Sequence, residues 1–155
     1  MPSDKRLWAL VSGDADPVAY GPVGWVALNG AWRGRVPVAA LNFSDNELTM
    51  EMEVRPGHRA GRPSVLLLAL GAVVRRVDVN GWHRDAGRPR QQTHVQGDPP
   101  PNYLRWLEPH EIVPFPTVGP VGGQQYRQVF GSAASVLGVN VQGVDWIDPP
   151  EGSPS

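Results

Sequence analysis

The chain has 155 residues, 41% of them apolar, and no cysteine. That sizes it for one domain burying roughly two-thirds of its unfolded surface, and it excludes disulfide frameworks, thiolate zinc sites and thiol nucleophiles. The net charge is −1, yet eight Arg face only two Asp between residues 55 and 97, so a cationic segment sits in an otherwise acidic chain; a large sequence-independent nucleic-acid footprint is excluded, a local phosphate contact is not.

With 18 Gly and 17 Pro, nearly double ordinary usage, the expected elements are short and loop-separated. The first residues contain no apolar run of signal-peptide length, and the longest aliphatic stretch, residues 65–74, is about half a membrane span, so a cytoplasmic protein without a membrane partner is expected. Residues 7–11, 23–28 and 36–41 read as short strands divided by Gly-Asp-Ala-Asp-Pro and Asn-Gly turns. Residues 48–54 alternate strictly, with Leu48, Met50, Met52 and Val54 on one face and Thr49, Glu51 and Glu53 on the other. The aliphatic run 65–70, bounded by Pro63 and Gly71, reads as a central strand covered on both faces. Alternation over 73–80 places Val73, Val77 and Val79 opposite Val74, Arg76, Asp78 and Asn80, with Arg75 interrupting the apolar side. Asn80-Gly81 is a turn, 81–90 a loop and 91–96 the next strand.

Seven prolines between residues 97 and 123, among them Pro99, Pro100 and Pro101, argue against a ladder or long helix there. A surface-wrapping loop is expected, pinned by Tyr103, Trp106, Ile112 and Phe115. Residues 124–137 have helical periodicity, with Tyr126, Val129, Phe130, Ala133 and Leu137 on one stripe and Gly138 at the C′ position. Residues 139–146 read as a final edge strand. The expectation is an α+β fold: a largely antiparallel sheet, one principal C-terminal helix and a proline-rich wrapping loop. Residues 1–147 form the domain and 148–155 a flexible tail. Exposed strand edges leave room for a homodimer. Trp8, Trp25 and Trp32 are expected to be buried, Trp82 and Trp106 to be contact residues, and Trp146 to anchor the chain end.

Chemistry concentrates between residues 75 and 96, which hold five of the thirteen Arg and two of the four His. If the strands carrying Val73 and Gln91 are neighbours, parity places Arg76, Asp78 and His94 on one polar face, with His83 entering from the loop above. Two imidazoles and a guanidinium suit metal-independent phosphodiester cleavage: one His takes a proton, the other gives one, Arg steadies the anion and Asp78 orients an imidazole. No cofactor is needed. The plainer alternative is a strand His bonded to a carbonyl, an exposed turn His and an ordinary ion pair. A metal held by Asp78, His83 and His94 would match no known spacing. Binding without catalysis would use Arg84, Arg88 and Arg90 beside Trp82, gripping a phosphate and stacking a base. His58 and His110 read as surface turn residues.

The run Arg75-Arg76-Val77-Asp78-Val79-Asn80-Gly81-Trp82-His83, followed by Thr93-His94-Val95-Gln96 and by Trp146-Ile147-Asp148-Pro149-Pro150, resembles a family of small uncharacterised bacterial and prophage proteins with the pattern R-x-D-x-N-x-x-H, a short loop, then T-H-x-H. The resemblance spans roughly the C-terminal half. It implies that Asp78, His83 and His94 act together and no particular activity; Gln96 stands where the pattern has a second His. The functional expectation is a small bacterial protein acting on a phosphate-containing partner, nucleic acid foremost, as a toxin-like metal-independent nuclease. The alternative is a non-enzymatic nucleic-acid- or protein-binding assembly protein using residues 82–92 as its contact surface.

Overall fold

The computed structural model describes residues 4–97, 103–118 and 120–154. Their order is α1 (Asp4–Ser12), β1 (Val18–Pro22), β2 (Gly24–Leu28), β3 (Ala31–Ala39), β4 (Leu48–Val54), β5 (Ser64–Ala69), β6 (Ala72–Asp78), β7 (Trp82–Asp85), β8 (Arg88–Gln91), β9 (His94–Gly97), β10 (Tyr103–Trp106), α2 (Gly123–Leu137) and β11 (Asn140–Asp145). Nine strands form one sheet in the order β10-β9-β6-β5-β4-β3-β1-β11, with β2 also paired to β3, while β7 and β8 form a separate two-stranded ribbon. All pairs are antiparallel except β1 with β11. The fold is therefore a sheet-rich α+β one, and its second helix is the expected C-terminal one. No described helix is long and apolar enough to cross a membrane.

One face of the sheet carries the core. Met50 and Met52 of β4, Val65 and Leu67 of β5, Val77 of β6 and Val95 of β9 are fully buried and join Val129, Phe130, Ala133 and Leu137 of α2. Each such large apolar side chain contributes about 1.5–3 kcal/mol by burial. The helix ends as its sequence dictates. Gly138 takes φ 78°, and its N–H and that of Val139 close the last turn on Ser135 and Ala134. Opposite faces of β4, β5 and β6 present Glu51, Glu53, Ser64, Leu66, Arg76 and Asp78. Beta-strand parity makes the sheet one-sided, apolar beneath α2 and polar outside.

Several expectations are corrected. Residues 7–11 are helical: Leu7 and Leu10, one turn apart, are buried, and Trp8 is 48% exposed. Over five residues a period of two and a period of 3.6 fit the same apolar letters. A strand at 18–22, absent from the sequence reading, runs parallel to β11. The run 65–70 is central but not covered on both faces, since Ser64 and Leu66 remain partly exposed. In β6 the register shifts beside Val74, so Val74 turns inward with Val77 while Val73 is 41% exposed. A bulge resets parity, which alternation alone cannot reveal. Residues 82–91, read mainly as loop, form the β7–β8 hairpin, and strand 91–96 is interrupted at Gln92 and Thr93. Tyr103–Trp106 adds a ladder within the proline-rich segment by pairing with β9. Pro99, Pro100 and Pro101 lie outside the described residues. Further on, Leu107 and Ile112 are buried and Phe115 packs on Tyr126 at 5.4 Å.

Candidate functional site

The strands bearing Asp78 and His94 are neighbours, and these two residues are direct register partners; Arg76 pairs with Gln96 two positions along. On the polar face this brings Arg76, Asp78, His94 and Gln96 together, as parity requires. Asp78 accepts from Ser64 Oγ at 2.8 Å through Oδ1, and through Oδ2 from Gln96 Nε2 at 2.9 Å and Arg76 Nε at 3.1 Å. His94 Nε2 lies 3.4 Å from the same Oδ2, and its Nδ1 donates to the Gln92 carbonyl at 2.9 Å. Because a carbonyl only accepts, Nδ1 carries a proton; Nε2 facing a carboxylate favours a second.

Burial by itself raises the Asp78 carboxyl, but the His94 hydrogen bond, the Arg76 charge and the Ser64 hydroxyl outweigh it and hold its pKa below the ordinary 3.8. Burial likewise pushes the His94 imidazole down, and the bonds to Asp78 and to the Gln92 carbonyl outweigh that and raise it above 6.5. The two shifts reinforce each other, with His94 buried and Asp78 half-buried beside it.

Around it the chain builds an aromatic cover. The β7–β8 hairpin turns on Ala86 and Gly87, both at positive φ (51° and 81°), and Asp85 faces Arg88 across it. It lays His83 against His94 with ring centroids 5.4 Å apart, while Trp106 of β10 approaches His94 to 5.1 Å and His83 to 6.2 Å. Arg90 stacks over Trp106 at 4.3 Å, bonds Asp85 at 2.7 Å and is bound to Gln92. His94 is consequently 1% exposed, whereas His83 is exposed and holds the Arg84 carbonyl at 3.2 Å. Asn80 ties the hairpin to the body. Its N–H donates to Thr93 Oγ1, and its side chain donates to the Gly61 and Phe115 carbonyls. Gly81 fits because a Cβ there would meet Asp78 Cβ at 3.0 Å and His94 Cε1 at 3.1 Å.

Thus Arg76, Asp78, His83 and His94 do converge, but as a packed support with one solvent-facing imidazole. Among the expected partner-binding residues, Arg84 donates to Gly87 of its own turn, Arg90 is engaged as above, and Arg88 and Trp82 are exposed. No three His, Asp or Glu side chains converge as a metal site among the described residues, so Asp78, His83 and His94 do not form one.

Beside the pair lies an open depression of about 410 Å³, lined by Glu53, Arg55, Arg59, Arg62, Ser64, Leu66, Arg76, Asp78, Val79, Gly81 and Trp82. Arg55 pairs with Glu53, which also holds Arg33 at 3.2 Å, and Arg76 pairs with Asp78. Arg59 and Arg62 have no carboxylate partner among the described residues. Both stand on the segment joining β4 to β5, which turns through a short 3-10 helix at Gly57–Arg59. The sequence signal for this basin was the charge excess after residue 55; its link to Asp78 was not legible, because residues 53–64 and 76–82 are brought together by strand pairing and by loop contacts such as that of Asn80 with Gly61. No family model, curated protein or solved structure matches this chain.

Proposed function

We propose that the protein binds a phosphate-bearing strand of nucleic acid in the arginine-lined basin, without cleaving it. One observation carries the reading: Arg59 and Arg62, which have no carboxylate partner among the described residues, share a depression with Arg55, Arg76 and the exposed Trp82. A guanidinium without a carboxylate is a fork of donors open to phosphate oxygens, and an exposed indole beside it is a platform for an unpaired base. Asp78, bonded to the buried His94, then serves to fix Arg76 and the hairpin that carries Trp82.

A second reading, metal-independent phosphodiester cleavage, is favoured by the 5.4 Å approach of the His83 and His94 rings. It asks His94 to exchange a proton with substrate, whereas this ring is 1% exposed and both nitrogens are engaged. The binding reading requires no such exchange.

Fluorescence anisotropy with labelled single-stranded RNA and DNA tests the proposal. Arg59→Ala/Arg62→Ala is expected to weaken binding by about 10-fold or more, two lost charge-assisted contacts, with the strand recovered intact on a denaturing gel. Wild-type protein that cuts RNA and a His83→Ala variant that does not would establish the second reading instead.

A further inference from the structure

The basin's lining has four Arg against Glu53 and Asp78, a surplus of two positive charges. An internal phosphodiester carries one negative charge. A phosphomonoester carries between 1.5 and 2 near neutral pH, with about three acceptor oxygens to share among forks of donors. Charge matching therefore favours a terminal phosphate over an internal one.

Size and chain charge point the same way. A volume of about 410 Å³ is near the low end of small-ligand pockets and holds a single nucleotide rather than a stretch of strand. The charges outside the lining sum to a negative value, since the total is −1 while the lining is in surplus by two, which weakens the pull on successive phosphates along a strand. Trp82, 56% exposed on the wall, offers a stacking face.

We infer that the basin recognises the phosphomonoester end of a nucleic-acid strand, holding the terminal phosphate with Arg59 and Arg62 and stacking the terminal base on Trp82. This rests on the binding reading above and narrows it to one ligand chemistry. A phosphate at the 5′ end and one at the 3′ end present the same charge, and the experiment separates them.

Three single-stranded 12-mers of one sequence, ending in a 5′-phosphate, a 3′-phosphate or hydroxyls only, are titrated into the full chain in the same buffer. One phosphorylated strand is expected to bind about 10-fold tighter than the hydroxyl-ended strand, as one added charge-assisted contact would give. That preference disappears in Arg59→Ala/Arg62→Ala. In parallel, the matching nucleoside monophosphate and inorganic phosphate compete for the site. Trp82→Ala is expected to weaken the nucleotide several-fold and leave inorganic phosphate unchanged. Circular dichroism confirms that the variants fold. Equal binding of all three strands, lost in the double variant, overturns the end-recognition inference while leaving strand binding standing. Binding of none of them overturns both. An equal effect of Trp82→Ala on nucleotide and inorganic phosphate overturns the stacking of the base.

Discussion

Asp78 accepts from four side chains at once, Ser64, Gln96, Arg76 and His94, so its removal leaves the buried His94 ring without its carboxylate and releases Arg76. Asp78→Ala is expected to cost about 3 kcal/mol, the usual penalty for breaking a buried ion pair from one side, read as a drop in the urea midpoint. The pair also makes stability depend on pH in a defined direction. The folded pKa of Asp78 lies below 3.8, so its contribution is present above 3.8 and lost as pH falls through the folded value. The folded pKa of His94 lies above 6.5, so its contribution is full below 6.5 and lost as pH rises through the folded value. Wild-type protein should therefore exceed His94→Gln by most between pH 3.8 and 6.5, with the gap narrowing on the alkaline side. A gap that widens as pH rises through 6.5 would show that His94 is neutral in the fold. Gln96, where the resembled pattern has a His, supplies a neutral donor to Asp78; it completes the hydrogen bonding of the carboxylate without adding a third titrating group.

Among the elements, the tight hairpins decide the registers. Asn29-Gly30 and Ala86-Gly87 both turn with two positive φ values, the geometry that two-residue hairpin loops require. Leu70-Gly71, between β5 and β6, does the same with φ of 51° and 80°, although Leu70 is 65% exposed and gains little from packing. A branched side chain in the left-handed region costs about 1–2 kcal/mol, which Asn largely avoids. Leu70→Asn should therefore raise the thermal midpoint, with a gain of about 0.5–1 kcal/mol; a lowered midpoint would mean that the leucine makes a compensating contact. In the same half of β6, beside Val74 and Arg75, Gly97 has φ 140°, and a Cβ there would come within 2.2 Å of the Val74 carbonyl oxygen. That close approach lets β9 seat against the bulge and so carries His94 into line with Asp78.

Across the whole molecule, charge is segregated by face. The outer face of the sheet bears the ion pairs of Arg33 and Arg35 with Glu51 and Glu53, and next to them the basin, while α2 covers the apolar face. With a net charge of −1 there is little long-range attraction for a polyanion, and ligand affinity has to come from the few cations in the basin. For single strands the salt dependence follows about −0.7 per neutralised phosphate, so a terminal phosphate and at most its neighbour predict a slope of about −0.7 to −1.4 in log K against log salt. A slope steeper than about −4 would mean that the contact runs well past the basin.

Local signals in the sequence determined much of the frame. The alternation of residues 48–54, the helical stripe ending at Gly138 and the Asn-Gly turns each follow from the period or the φ preference of neighbouring residues, and each reappears in the fold. Parity also placed Arg76, Asp78 and His94 on one face, because strand geometry fixes that once the two strands pair. What tertiary structure alone decided were the bulge at Val74, the hairpin that folds over His94 and the meeting of Arg59 and Arg62 with Arg76 and Asp78. Burial and unpaired charge arise from contacts between segments distant along the chain. Two histidines that read as a catalytic pair became one covered ring and one exposed ring, because the covering β7–β8 hairpin and Trp106 come from beyond the β6 strand that bears Asp78.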